Sequence, residues 1–415
     1  MAQQYRKQKA NQRAVYQEII QGYVQRQNLR NLLTLGIFFG SLIIYLLTLS
    51  RTVAGGDSGE LTTVAYTLGI AHPPGYPLYT LLGKLFSLIP IGKIAFRLNF
   101  MSAFFQSLSL CFLFRGTAHV TRDERVGLTA AGFFAFAPIP WTYSLAAEVF
   151  SLNSLFVTLL FYLFSRFLFD QDLAHAQGSP PRSEHRSTYA AFILFGIGLA
   201  HHHTLLLLGS PILLGFLYFW VRRGCKTSTV IRLLALSVAG FGLYAYLPLS
   251  SLRNPQMAWG KIASLDEFFT HFSRAEYGTF SLLQNDKSAS FLRNIGFYLH
   301  DVFGPTLYIG LGLTLYGVYR SFKINRIWTI TLLASHTLYL GVIVALSNIP
   351  EFPPVYRGIL TRFWIAPSIF VSIWAALGLI QLLENCEGNC EGKFKIPKAG
   401  KWAICILACT QSIFF

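Results

Sequence analysis

Asp57 and Glu60 lie three residues apart in Gly55-Gly56-Asp57-Ser58-Gly59-Glu60, where the glycines permit irregular backbone. Both carboxylates can face one pocket at that spacing, and one of them could act as general base toward an acceptor hydroxyl within hydrogen-bonding reach. The same residues also fit a helix start, with Asp57 as N-cap and Glu60 completing a capping box. A divalent cation is a third use for the pair. Such ions want more oxygen ligands than two carboxylates supply, so no metal ligands are assigned, although a metal is not excluded.

Downstream, Ala71-His72-Pro73-Pro74-Gly75-Tyr76-Pro77 packs three prolines into five residues, which predicts a rigid turn. His72 and Tyr76 there would form a polar wall beside the carboxylates. Ala146-Ala147-Glu148-Val149-Phe150-Ser151-Leu152-Asn153 sets Glu148 and Asn153 at the mouth of an apolar run, where ionisable groups are functional suspects; a Glu favoured by the helix dipole is the plainer reading. His201, His202 and His203 interrupt another apolar stretch. Consecutive helical residues point in three directions, so they do not form a zinc site, but His202 and His203 could hydrogen-bond a phosphate. Arg253, Arg274, Arg357 and Arg362 are candidate phosphate contacts through their planar forks of donors, with headgroup anchoring as the alternative.

These residues must be positioned by membrane-spanning helices. The 415-residue chain is 53% hydrophobic and 13% charged, against roughly 25% charge in soluble domains, which excludes an ordinary soluble enzyme. Spans are expected near residues 31–50, 97–115, 126–144, 150–169, 189–205, 206–221, 230–249, 294–319, 327–347, 360–382 and 402–415, each judged against a ~30 Å hydrocarbon core. The run from Tyr76 to Pro90 is short, interrupted by Lys84 and bounded by prolines, so it is read as interfacial or re-entrant. Letting it span would put Arg115, Arg122 and Arg125 outside, against the positive-inside rule.

With that choice the inner loops collect Arg115, Arg122 and Arg125; Arg166, Arg182 and Arg186; Arg222, Arg223, Lys226 and Arg232; Arg320, Lys323 and Arg326; and Lys393, Lys395, Lys398 and Lys401. Residues 1–30 form a basic cytosolic tail, 51–96 the first outer loop with the acidic motif, and 250–293 a second large outer loop. No soluble C-terminal domain is expected, and the run ending at Phe415 is short for a span, as a truncated C-terminus would be. The fold class is therefore all-α and polytopic, with about eleven spans.

The net charge of +16 follows the loops rather than a nucleic-acid patch, so no nucleic-acid partner is expected. Cys111, Cys405 and Cys409 sit in apolar runs, where thiols act as small hydrophobes. Cys386 and Cys390 have no nearby His or further Cys and read as free thiols rather than metal ligands.

The segments GGDSGELTTVAYTLGIAHPPGYPLYTLLGKLFSLIP, AAEVFSLNSLF, GLAHHHTLLLL and YLPLSSLRNPQMAWGKIASLDEFFTHFSRAEYG, within positions 50 to 365, resemble the membrane family DUF2723, the transmembrane protein 260-like O-mannosyltransferases. The layout is also similar to the GT-C superfamily of polyprenyl-phosphate-sugar transferases. The resemblance implies a GT-C-like bundle and an inverting transfer of a sugar, mannose by analogy, from a polyprenyl- or dolichyl-phosphate donor. The acceptor it implies is an extracytoplasmic or lumenal hydroxyl on a protein or glycan. It also implies Asp57 as the base, Glu60 and His72 beside it, and Arg274 or Arg362 toward the donor phosphate.

The residues themselves allow this chemistry. A lipid phosphate is a good leaving group, arginines stabilise the developing charge, a carboxylate takes the acceptor proton, and no organic cofactor is required. The expected setting is a bacterial plasma membrane or the endoplasmic reticulum, with the N-terminus cytosolic. The rival readings are a transporter or lipid-binding scaffold, disfavoured by the lack of internal repeats and the gathering of polar residues on one face, and a catalytically inactive relative.

Overall fold

The computed structural model describes residues 26–177, 184–277, 291–347 and 355–389. Among them the chain is helical, with a single parallel bridge between Ile70 and Ala258 as its β structure. It opens with α1 (Arg26–Thr48), then α2 (Ser58–Thr67), α3 (Pro77–Ser87), α4 (Ile94–Thr121), α5 (Glu124–Phe136), α6 (Pro138–Ser144) and α7 (Phe150–Gln177). The next helices are α8 (Glu184–Leu199), α9 (Leu205–Arg222), α10 (Thr227–Phe241), α11 (Tyr246–Ser251) and α12 (Leu265–Phe272). The described chain closes with α13 (Phe291–Phe303), α14 (Ile309–Ile324), α15 (Arg326–Leu346), α16 (Val355–Thr361) and α17 (Ile365–Asn389).

Among the described residues, six helical stretches are long and apolar enough to cross a membrane: Arg26–Thr48, Phe150–Gln171, Leu205–Arg222, Thr227–Ser251, Arg326–Leu346 and Arg357–Asn385. A seventh arises if the bent pair Phe291–Thr306 and Ile309–Ile324 is one span. The chain is thus an all-α multi-pass membrane protein, though several expected spans take another form. The run 294–319 is not continuous: its halves meet at 101°, where Gly304 and Pro305 interrupt the helix and Leu307 and Tyr308 adopt left-handed backbone, since proline cannot donate to the helical ladder. The expected span 126–144 is split into α5 and α6 at Pro138 for the same reason. The expected final span 402–415 lies outside the described residues.

The turn at Tyr76 to Pro90 forms α3, whose 11 residues reach only about 16 Å at 1.5 Å per residue, too short to cross. Helix α1 begins at Arg26, within the basic segment 1–30. Arg30 already lies in α1, 3% exposed, with Nε donating to Glu124 Oε1 at 2.9 Å and Nη2 donating to Ala118 O at 3.0 Å. A cation this deep needs such partners.

The core sits between α4, α7 and α17, where Phe114, Phe161, Phe164, Phe167 and Trp374 are buried. In membranes close helix approach relies on small residues. Gly317 of α14 sits against the Trp374 carbonyl and Gly378 of α17 against the Leu313 carbonyl, so these backbones touch directly. The short helices gather around residues 57–76: α2 packs on α3 and α4, and the Ile70 amide donates to Met257 O at 3.0 Å, tying this segment to the loop before α12.

Candidate active site

Asp57 occupies the N-cap position of α2, but its side chain makes no capping bond. Arg362, in the turn between α16 and α17, donates from Nη1 to Asp57 Oδ2 at 2.6 Å. The capping box does not form, because Glu60 also points elsewhere. Glu148 completes the cluster from the turn before α7: its Oε1 accepts the Asp57 amide at 3.3 Å and lies 3.9 Å from Arg362 Nη1. Gly56 makes this approach possible. Its φ of +71° is left-handed, and a Cβ there would meet Glu148 Oε1 at 2.9 Å. Glu148 is 2% exposed and its Oε2 has no hydrogen-bond partner. Burial pushes its carboxyl up to about 7, opposed by Arg362 and reinforced by Asp57, as expected for a carboxylate leaving water beside a like charge.

Asn99 of α4 holds the two acidic turns in register. Its amide donates to Ser50 O at 2.8 Å and Thr52 O at 3.0 Å, and its oxygen accepts the Ala147 amide at 2.8 Å.

Glu60 is turned toward the proline-rich segment. Its Oε1 accepts the His72 amide at 2.7 Å, and both carboxylate oxygens lie 3.0 Å from His72 Nδ1. His72 Nε2 is 3.3 Å from the Tyr76 hydroxyl, and the His72 ring meets Tyr76 and Trp259 edge-on. An ordered carboxylate fixes which imidazole nitrogen faces inward.

The three histidines diverge, as consecutive positions must. His201 Nε2 donates to Val149 O at 2.8 Å, His202 Nδ1 is 2.7 Å from Thr204 Oγ1, and His203 Nε2 is 2.7 Å from the Tyr244 hydroxyl. Burial holds His201 and His203 down to about 4 and His202 well below its ordinary value, so all three are neutral at neutral pH. They offer hydrogen bonds without adding charge.

Several of these groups line one cavity of about 400 Å³. Its polar wall carries Asp57, Glu60, His72, Tyr76, Arg274 and Arg362; His202 and His203 also reach it. The lining also holds an aliphatic set, Leu206 and Leu207 of α9, Val342, Ile343 and Leu346 of α15, and Ile359 of α16. Arg274 has left-handed backbone, lies over the Tyr277 ring at 5.5 Å and keeps a buried Nε without a partner, as does Arg362.

Two of the four expected phosphate arginines are elsewhere. Arg253 is exposed and off the cavity lining, at the end of the α11 turn. Arg357 is also off the lining, because it donates to Asp301 Oδ1 at 2.5 Å. Asn153 is buried behind the wall, with Nδ2 donating to Thr204 Oγ1 at 3.5 Å; Glu148 likewise supports the lining from behind.

The cavity also contains Phe150, Thr204, Trp259, Tyr277 and Phe363, which side-chain type alone did not single out. Trp259 and Tyr277 lie before and after α12 in the same outer segment as Arg274, and that company was the available signal. No group of three or more His, Cys, Asp or Glu positioned for a metal ion occurs among the described residues. Cys111 is buried and Cys225 partly so; Cys390, Cys405 and Cys409, and the side chain of Cys386, lie outside the described residues.

Comparison with known proteins adds family context. Residues 57–226 match the family model of the Protein O-mannosyl-transferase TMEM260 N-terminal domain. The chain is 34% identical over 375 residues to Protein O-mannosyl-transferase TMEM260 of Mus musculus, covering 86% of this chain and 51% of that protein. It is 32% identical over 361 residues to Protein O-mannosyl-transferase tmem260 of Dictyostelium discoideum, covering 83% and 44%. The chain thus spans about half the length of these relatives. Among solved structures, ArnT from Cupriavidus metallidurans, bound to undecaprenyl phosphate, aligns with a TM-score of 0.52 at 14% identity, over 92% of this chain and 69% of that one. This likeness is one of fold, and it agrees with the GT-C-like bundle expected from sequence.

Proposed function

We propose that this protein is a membrane glycosyltransferase that moves a sugar, mannose by analogy with its relatives, from a polyprenyl-phosphate donor to a serine or threonine hydroxyl of a protein. The observation that carries the reading is the Arg362–Asp57 pair, set in a cavity lined by both polar and aliphatic side chains. A lipid-linked sugar phosphate needs both kinds of lining: hydrocarbon lies against the α9 and α15 leucines, isoleucine and valine, and the phosphate against arginines.

In the free protein Arg362 neutralises Asp57. A donor phosphate competes for that guanidinium and for Arg274, whose unpartnered buried Nε atoms are available to it, and so frees the Asp57 carboxylate. The acceptor oxygen then attacks the anomeric carbon, its proton passes to Asp57, and the bond from that carbon to the phosphate oxygen breaks. The electron pair leaves on the phosphate, where the arginines stabilise it. A single displacement inverts the anomeric centre. Glu60 fixes His72 at the edge of the same space, placing a ring nitrogen near the sugar or acceptor. The chemistry requires no organic cofactor, and a divalent metal remains compatible with it.

The setting we propose is the extracytoplasmic or lumenal face of a plasma or endoplasmic reticulum membrane, with the N-terminus cytosolic; the cation-rich inner loops support this orientation. Purified protein incubated with radiolabelled polyprenyl-phosphate mannose, glucose or arabinose and Ser/Thr peptides tests the reading. Label is expected on peptide, most from mannose. Release or binding of donor without any transfer would move the protein to the transporter or scaffold class.

A further inference from the structure

Asp301 stands outside the cavity lining, yet three donors converge on it. Arg357 Nη2 donates to its Oδ1 at 2.5 Å and Trp364 Nε1 to its Oδ2 at 3.2 Å, while Thr361 Oγ1, whose one hydrogen is shared with the Arg357 carbonyl at 2.9 Å, lies 3.3 Å from Oδ2. Asp301 lies in the last turn of α13, the end of a helix where a negative charge is electrostatically disfavoured. Its side chain is 11% exposed, so desolvation adds to that cost. The three donors offset both. Arg357 is held a second time by the same helix, its guanidinium lying 4.8 Å from the centre of the Phe297 ring, one turn before Asp301.

The three donors are residues 357, 361 and 364, and they bracket Arg362. The backbone there passes from α16 through a short 3-10 turn, Arg362–Trp364, into α17. Such a turn has poorer hydrogen-bond geometry than an α-helix and does not fix a side chain's direction by itself. The Asp301 carboxylate grips it on both sides of Arg362, while Tyr339 donates to the Phe363 carbonyl at 2.9 Å. From the same turn Arg362 reaches Asp57.

We propose that Asp301 is a positioning residue: by binding Arg357, Thr361 and Trp364 it sets the turn that aims Arg362 at the donor phosphate. The same clamp holds Arg357, five residues before Arg362, off the cavity lining. This inference rests on the assignment of Arg362 to the donor phosphate.

The test measures affinity for undecaprenyl phosphate in the full-length, detergent-solubilised protein, alongside thermal stability. The variants are Arg362→Ala, Asp301→Ala, Asp301→Asn and the double alanine variant. Loss of a charge-assisted contact corresponds to about one to two decades in affinity, so Arg362→Ala is expected to bind ~10- to 100-fold more weakly. Asp301→Ala should fall in the same range, and Asp301→Asn, which keeps one acceptor oxygen, between it and the wild type. The decisive measurement is the double variant, expected within about threefold of Arg362→Ala because a positioning residue has nothing left to position.

A purely structural role would instead weaken binding further in the double variant, and that outcome overturns the inference. So does wild-type affinity in Asp301→Ala. Wild-type affinity in Arg362→Ala would overturn the donor-site reading instead, which keeps the two failures separate. If Asp301→Ala does not fold, Arg357→Gln on the half-exposed side of the clamp serves in its place, with a smaller loss that must likewise vanish in the Arg362→Ala background.

Discussion

Replacing Asp57 by Asn separates its three possible roles as cap, ion-pair partner and base. Capping drops out first, since the side chain bonds Arg362 and not the helix amides. The ion pair loses only its charge assistance, because the Asn oxygen still accepts from Arg362. A charged hydrogen bond contributes about 1.5–3 kcal/mol and a neutral one about 0.5–1.5 kcal/mol, so the loss is about 1 kcal/mol. The side chains are 30% and 16% exposed, and Glu148 at 3.9 Å retains part of the compensation, so a melting temperature should fall by no more than about 2–4 °C.

Transfer is different, because Asn cannot take the acceptor proton. Removal of a general base costs ~10²–10⁴ in rate, equivalent to about 3–5 kcal/mol in the barrier. The donor constant should move the opposite way, since Arg362 no longer has a carboxylate competing with phosphate. The assay is steady-state transfer from polyprenyl-phosphate mannose to a Ser/Thr peptide, with kcat and donor KM fitted separately. Transfer within about tenfold of wild type, or a loss appearing mainly in donor KM, would refute the reasoning.

Arg274→Ala removes a cavity cation whose Nε has no protein partner, so donor KM should rise ~10- to 100-fold with little change in thermal stability; unchanged donor kinetics would return this residue to packing on Tyr277. For Glu148, the folded value of about 7 lies above the ordinary 4.5, so its neutral form is favoured by folding. That contribution is full below about pH 4.5, is lost as pH rises through about 7, and is on the order of 3 kcal/mol. Thermal melts of wild type should therefore decline relative to Glu148→Gln across that window, and parallel curves would count against a buried, raised carboxyl. Finally, Thr52→Cys on the exposed loop after α1 should react with an impermeant thiol reagent from outside intact cells while Thr227→Cys should not, and the reverse pattern would invert the topology.

The chemistry-bearing residues were legible where one short segment supplied both unusual types and a breaker-rich backbone. Asp57, Glu60, His72 and Tyr76 fall in such a segment and do meet in one cavity. Partner choice was not legible. Arg357 and Arg362 are five residues apart in similar surroundings, and nothing local states that one answers Asp301, 56 residues earlier, and the other Asp57, 305 residues earlier. Span boundaries failed where prolines cut an apolar run, as at Pro138 and Pro305, because hydropathy averages over a break that removes a backbone donor. The burial of Arg30 is not visible locally either, because its partner Glu124 is 94 positions away.

The 305-residue gap between Asp57 and Arg362 also bears on how the protein is made. Asp57 emerges from the ribosome early and Glu148 soon after, so for most of synthesis two neighbouring acids lack the cation that later joins them. The second is destined for a site with almost no water. Until the helix containing Arg362 is inserted, the half-built bundle carries an uncompensated pair of acids, which favours an open loop over the mature arrangement. The site therefore closes late. Chains arrested before that helix would display a solvent-accessible acidic loop rather than a dormant pocket, a difference that surveillance of nascent membrane proteins could read.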